Sequence, residues 1–359
     1  MKKSLIALAV LAASGAAMAQ SSVSIYGIAD VWVGKSTFKD NIGGGATFKE
    51  STTEMGSGGW DTSRIGFRGT EDLGGGLKAN FQIETKIAID SPAPTSLGDR
   101  TAYIGLAGGF GEVQLGKNWT AYDDVWGAHN NNFDSAFTAR PSAFGYTDNP
   151  NNTIKYISPS FGGFTGAVSY SLGEDKAVAG DESSNVFALN VAYNNGPISV
   201  AFAHQKEKVG EDGTKVGLDA EGLVGEFIGV TLADLDPDSK LTNNQISGSY
   251  DLGVAKLLAT YNKAKLSVLG GDLKSNEYTF GVEVPVAANI SVGAGYGQAK
   301  LKIDGENVAK AKSFGFAAYY SLSKRTTAYA GYSQTKVTFD GVTGSAKDTL
   351  YAVGVKHTF

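Results

Sequence analysis

Beyond residue 20 the apolar residues of this chain recur at every second position, and nowhere with the 3.6-residue spacing of a helix. Over residues 77–89, Ala79, Phe81, Ile83, Thr85, Ile87 and Ile89 fall on one side of an extended backbone, and Lys78, Asn80, Gln82, Glu84, Lys86 and Ala88 on the other. Phe164, Gly166, Val168, Tyr170 and Leu172 oppose Thr165, Ala167, Ser169 and Ser171, and Tyr351, Val353, Val355 and Phe359 oppose Ala352, Gly354 and Lys356. One face is apolar and aromatic, while the other carries charge. A soluble β-sandwich must bury its apolar faces against each other, with strands of about five or six residues. Alternating segments of about ten residues with charged polar faces suit a transmembrane barrel, apolar toward lipid and polar toward a watery lumen. The 48 glycines fit the bends and tight turns of such a barrel.

The first residues stand apart from this pattern. Lys2 and Lys3, the apolar run 5–13 and Ala17-Met18-Ala19 read as a secretory signal peptide cut before Gln20, leaving 20–359 as a single barrel domain. No other stretch approaches the roughly 18 to 20 apolar residues of a spanning helix. Without any Cys the chain has no disulfides, thiol chemistry or Cys-ligated zinc, in keeping with an oxidising compartment. A net charge of −5 and a pI near 5.4 offer no basic footprint for nucleic acid.

The connections give the topology. Short turns rich in Gly, Asn and Pro fall at 71–75, 108–111, 159–163, 194–197, 251–253, 285–289 and 322–325. Longer polar connections lie at 36–58, 90–98, 118–151, 173–184, 209–240, 264–274, 301–311 and 338–346. Short and long alternate strictly, so the fifteen connections predict sixteen strands, an even number with both termini at the short-turn end.

Several stretches resemble the general, non-specific porins of Gram-negative outer membranes, in their β-proteobacterial branch. They are Val23-Ser24-Ile25-Tyr26-Gly27, the run 63–79 (SRIGFRGTEDLGGGLKA), Arg100-Thr101-Ala102-Tyr103-Ile104-Gly105-Leu106, and the closing Val353-Gly354-Val355-Lys356-His357-Thr358-Phe359. The resemblance runs through the mature chain in strand order. It implies a sixteen-stranded antiparallel barrel, a homotrimer, with the long third loop folded into the lumen as a constriction. It also implies passive diffusion of small hydrophilic solutes and ions, outer-membrane lipid and lipopolysaccharide as surroundings, and recognition of the last strand by the barrel assembly machinery through Tyr351, Val353, Val355 and Phe359.

A pore selects by its diameter and by fixed charge at its narrowest point. Alternation turns Arg64 and Arg68 inward, opposite Ile65 and Phe67; it gives Arg100 the face of Ala102 and turns Tyr103 outward. An Arg on the lipid face costs about 2–4 kcal/mol at mid-membrane, which also favours the inward side. The resemblance places Arg64 and Arg100 on the basic wall of the constriction, with Arg68 one step along. Ionic ties to a carboxylate such as Glu84 are the alternative. The third loop carries Asp123, Asp124, Asp134, Asp148 and Arg140, and Lys155 alternates inward just after it. Asp123 and Asp124 either face Arg64, Arg68, Arg100, Arg140 and Lys155 across the pore or form a solvated loop face. The chain departs from relatives that carry Pro-Glu-Phe-Gly at the loop tip: it has Ala143-Phe144-Gly145, and Asn149 stands where many place a further Arg. A weak anion preference is expected.

Enzymatic readings lack their parts. His129, His204 and His357 are scattered, and neither H-E-x-x-H nor G-x-S-x-G occurs. Gly34-Lys35-Ser36 lacks the first glycine of a phosphate loop, and Gly293-x-Gly295-x-Gly297 lies within an alternating strand. No cofactor or metal is expected, and the acidic loop 209–240 reads as solvated rather than as a Ca²⁺ loop. A substrate-selective channel with Trp119, Tyr122 and Trp126 as an aromatic track, or an outer-membrane adhesin, are the competing readings.

Overall fold

The structure, a computed structural model, describes residues 22–91, 95–173, 184–209, 239–268 and 271–359. The expected signal peptide at 1–19 and the acids of the loop between Val209 and Lys240 lie outside the described residues.

Seventeen strand segments follow one another: β1 (Ser22–Asp40), β2 (Phe48–Ser57), β3 (Arg64–Gly74), β4 (Leu77–Lys86), β5 (Thr101–Gly108), β6 (Gly111–Lys117), β7 (Thr153–Ile157), β8 (Phe164–Leu172) and β9 (Asn185–Asn195). After these come β10 (Ile198–Lys208), β11 (Lys240–Asp251), β12 (Lys256–Val268), β13 (Gly271–Ala287), β14 (Ile290–Ile303), β15 (Glu306–Ser321), β16 (Thr326–Phe339) and β17 (Ala346–Thr358). The helical turn α1 (Asp123–Trp126) sits between β6 and β7. From β3 on, each segment pairs antiparallel with the next, and β17 returns to β1 from Ile28↔Thr358 to Asp40↔Ala346, closing a barrel without edges.

β2 and β3 are two pieces of one wall strand. β2 pairs with the far half of β1, Val31↔Ser57 to Asp40↔Phe48, and β3 with its near half, Ser22↔Thr70 to Ile28↔Arg64. The wall therefore has the sixteen strands the connections predict. Between the pieces, residues 58–63 leave the sheet around the carboxylate of Asp30, which is fully buried. It accepts the backbone N–H groups of Gly59 (3.2 Å), Trp60 (2.9 Å) and Asp61 (2.8 Å) and the hydroxyl of Tyr329 (2.5 Å). Four donors satisfy a buried charge that would otherwise be costly.

The two-residue period is realised as an outside and an inside. Phe164, Val168, Tyr170 and Leu172 are exposed on the outer surface, while Ala167, Ser169 and Ser171 are buried toward the interior. Tyr351, Val353, Val355 and Phe359 form an exposed outer stripe on the last strand. Phe359 exchanges two backbone hydrogen bonds with Gly27, at 3.1 and 3.2 Å, and its ring lies where a Cβ on residue 27 would be.

Three expected long connections are largely paired strand. In 36–58 the ladder runs on through Ser36↔Thr52 to Asp40↔Phe48; in 264–274 it includes Lys265↔Lys274; and in 301–311 only Asp304 and Gly305 separate the strands. These hairpins stand beyond the apolar band, where neither face needs to be apolar, so their polar composition reads as loop. Asp304 and Gly305 take φ of 49° and 92°, the two left-handed positions of a tight primed turn, which a D-G pair encodes.

Candidate functional site

The loop between β6 and β7, residues 118–152, is held against the inner wall along most of its length. At its start, Thr120 Oγ1 donates to Gln205 (2.7 Å) and the Ala121 N–H to Ser169 Oγ (2.9 Å), while Asn190 donates to the Ala121 carbonyl (2.6 Å). His129 lies between Ser247 and Ser199, 2.8 Å from each hydroxyl. Further on, the Tyr319 hydroxyl donates to the Asn132 carbonyl (3.0 Å), the Ala136 N–H to the Gly59 carbonyl (2.9 Å), and Trp60 Nε1 to the Phe133 carbonyl (3.1 Å). The loop thus crosses from β8 to β16 and reaches the break between β2 and β3, then returns. No hydrogen bond joins it to an inward side chain of β3 or β4 among the described residues.

Three wall carboxylates receive its backbone. Glu283 accepts from the Phe133 N–H (2.7 Å), Glu277 from Ala143 (2.8 Å) and Glu207 from Thr147 (3.0 Å). The acids that hold the loop backbone thus come from wall strands β10 and β13. Phe144, 2% exposed, packs among Val209, Leu241, Leu266 and Leu301, sealing loop to wall. Their inward parity was readable in the sequence, but nothing in it says that a loop would arrive there.

Close approach is possible because the facing wall carries glycine where the loop lies against it. Gly281, Gly293, Gly295, Gly297, Gly315 and Gly331 on β13 to β16 all point inward against loop residues 131–139. A Cβ on residue 297 would strike the Ala139 carbonyl oxygen, one on 315 the Phe137 carbonyl oxygen, and one on 331 the Phe137 ring. The alternating glycines 293, 295 and 297 are therefore a seat for the loop. Phe137 itself is fully buried.

The wall opposite is charged. Glu84, 7% exposed at its side chain, lies between two guanidiniums, 2.7 Å from Arg100 Nε and 3.5 Å from Arg64 Nε. It also accepts the Tyr26 hydroxyl at 2.9 Å. Arg68 stands over the Tyr26 ring, 5.0 Å from its centroid. Two guanidiniums thus meet one carboxylate while the third covers the tyrosine bonded to it, and both Arg64 and Arg100 take up the ionic tie foreseen for them. The faces of β5 differ from expectation: Tyr103 points inward, bonding Gln82 at 3.3 Å, and Ile104 and Leu106 are exposed outside. Residue 102 pairs with Ile83 on the outer side, so Arg100 does not share its face. Arg100 still turns inward because it precedes β5, outside the alternation, its N–H bonded to the Glu84 carbonyl (3.1 Å).

The loop charges are paired. Lys155, buried, reaches Asp124 at 2.6 Å and the Trp119 carbonyl at 3.0 Å. Arg140 donates to Asn130 (2.5 Å), Gln245 (2.6 Å) and the Trp126 carbonyl (2.7 Å), and lies 3.8 Å above the Trp126 ring. Arg100 likewise covers Trp119 at 5.0 Å, and Tyr122 is fully buried. The three aromatics are packing and stacking partners in this arrangement, with no free track. Asp123 accepts the Tyr146 hydroxyl at 2.6 Å. Burial pushes its carboxyl up to about 7, Tyr146 opposing and the nearby Asp148 and Asp124 adding to the rise. Burial also raises Asp124, against Lys155, and lowers His129 to about 4. Among the described residues no group of three or more His, Asp or Glu is placed to hold a metal.

This arrangement is a barrel narrowed from one side, and comparison with known proteins agrees with it. A family model described as Gram-negative porin matches residues 5–341. Outer membrane porin protein 32 of Delftia acidovorans is 35% identical over 389 residues, covering 100% of both chains. Major outer membrane protein P.IB of Neisseria meningitidis serogroup B is 30% identical, again over 100% of both. Among solved structures, the anion-selective porin from Comamonas acidovorans superposes with a TM-score of 0.75 at 28% identity, covering 95% of this chain and 100% of that one. With the barrel, the wall-bound loop and these matches together, the chain belongs to the Gram-negative porin family.

Proposed function

We propose that this porin is a water-filled outer-membrane channel for passive diffusion of small hydrophilic solutes and ions, with a weak preference for anions. The observation that carries the preference is the excess of basic groups on that wall: Arg64, Arg68 and Arg100 stand with Glu84 and Glu112 as its acids. Fixed charge at a constriction sets which ion enters. The acids across the gap are muted, because Asp124 is tied to Lys155 and Asp123 holds its proton up to about neutral pH. The similarity to a porin whose title calls it anion-selective supports the same sign.

In this reading Arg64, Arg68 and Arg100 are the basic side of the constriction, and Asp123, Asp124, Arg140 and Lys155 fix the loop opposite. Residues 1–19 direct export, 20–359 assemble as a homotrimer among outer-membrane lipid and lipopolysaccharide, and the stripe Tyr351, Val353, Val355 and Phe359 serves recognition by the assembly machinery. The mature protein in a planar bilayer under a KCl gradient tests the function. Discrete steps, often in threes, with a reversal potential of anionic sign are expected; a silent barrel or a cationic sign overturns the reading.

A further inference from the structure

Residues 58–63, the break between β2 and β3, face two ways. Toward the wall their backbone N–H groups go to Asp30: those of Gly59, Trp60 and Asp61 to its carboxylate, and that of Gly58 to its carbonyl at 3.0 Å. The Asp30 N–H is donated to Ser63 Oγ at 2.9 Å, and the Ser63 hydroxyl bonds back to the Asp30 carbonyl at 2.9 Å. Every polar atom of one fully buried residue is thus engaged by this segment, with the Tyr329 hydroxyl of β16 as the fourth donor to the carboxylate. Two glycines make the path possible. Gly58 takes φ of 83°, and a Cβ on residue 59 would strike the Tyr329 hydroxyl and the Trp32 ring.

Toward the lumen the same segment meets the constricting loop. The Gly59 carbonyl accepts the Ala136 N–H, and Trp60 Nε1 donates to the Phe133 carbonyl. The Trp60 ring lies 4.4 Å from that of Tyr319, centroid to centroid, and Tyr319 lies 4.5 Å from Phe133. Lys356 on β17 closes the other side, its ammonium 3.0 Å from the centre of the Trp60 ring and 2.7 Å from Asp61. Strands β15, β17 and β1 therefore all bear on one indole.

The stretch of loop held there would not keep its shape alone. Asn132, Phe133 and Asp134 have φ of 52°, 58° and 53°, three successive left-handed residues without a glycine. Such a run costs free energy at each residue and persists only where its surroundings over-determine it. Phe133 is its middle, with its N–H on Glu283 of β13 and its carbonyl on Trp60. Without the 58–63 side, the turn is held from β13 and β15 alone.

We propose that Asp30 is a positioning residue for the aperture: its carboxylate fixes residues 58–63 as a post for the loop tip, and through Trp60 it decides how steadily the tip narrows the lumen. The inference rests on the channel reading and adds to it a buried residue that meets neither the gap nor a passing ion. The post asks for a carboxylate. An Asn at position 30 offers one accepting oxygen to four donors and sets its own NH₂ against them.

The test records unitary currents of the purified mature protein in a planar bilayer, with the melting temperature measured on the same samples. Asp30→Asn should raise open-channel current noise about threefold or more and lift mean unitary conductance by about a fifth or more, while the reversal potential keeps its sign. Trp60→Phe keeps a ring between Tyr319 and Lys356 but removes the indole N–H, and it should move both readings the same way by less. The double variant should match Asp30→Asn, because both changes act through one contact. Effects that add as for independent sites overturn the proposal. A lowered melting temperature with quiet wild-type current overturns it too, and leaves Asp30 a stabilising residue only. If Asp30→Asn does not fold, Trp60→Phe and Tyr329→Phe carry the comparison, and wild-type current from both overturns the post. A silent wild-type barrel sinks the channel reading and the post with it, whereas a conducting wild type with an unaffected Asp30→Asn sinks the post alone.

Discussion

The two sides of the lumen solve different problems with opposite residues. On β13 to β16 the inner wall carries six glycines, and the loop lies on them so closely that Cβ atoms would meet its backbone and side chains. On β1 and β3 to β5 the wall keeps long side chains, with Arg64, Arg68 and Arg100 around Glu84 and Tyr26. One side sets how far the constricting loop stands from the wall, and hence the size of the gap. The other, in the function proposed above, sets its charge. Diameter and selectivity are then separable in that channel, each written on its own half of the barrel.

The largest effect should come from blocking the seat. Gly315→Val or Gly297→Val pushes residues 137–139 off the wall and into the gap, and unitary conductance should fall to about half or less while ion preference keeps its sign. An unchanged conductance would mean that the loop adjusts without entering the lumen. Next is the charged side: Arg64→Gln with Arg100→Gln should move the reversal potential toward cations at nearly constant conductance. A reversal potential that stays put would remove both arginines from selection.

Phe137→Ala tests the anchoring itself. Emptying a fully buried aromatic position costs about 3–5 kcal/mol in a well-packed site. The loop should then fluctuate, seen as noisier current at higher mean conductance with the barrel intact; quiet current would show that the hydrogen bonds to Glu207, Glu277 and Glu283 suffice. The smallest effect is pH. Below about 7 Asp123 is protonated and neutral, and above it the loop gains a negative charge, so anion preference should decline as pH rises from 6 to 8. Asp123→Asn should flatten that decline, and a decline that persists would assign it to another group.

The period of two was enough for the barrel and the inward direction of Arg64, Arg68 and Lys155, because the face a strand residue takes follows from backbone geometry alone, and the alternation of short and long connections was enough for its sixteen wall strands. It erred at Arg100, Ala102 and Tyr103, since Arg100 lies just outside β5, where parity no longer holds. It also mistook polar hairpins for loops, because hydrogen-bond ladders continue past the membrane without an apolar face to mark them. The path of residues 118–152 was beyond its reach. That path depends on contacts between residues far apart in the chain, such as Phe133 with Glu283 and Ala136 with Gly59, which no local pattern encodes. What the sequence determined by itself was the wall, since strand alternation is a local property. Only the tertiary structure decided the aperture, since a gap is a distance between two surfaces that are brought together by the closing of the barrel.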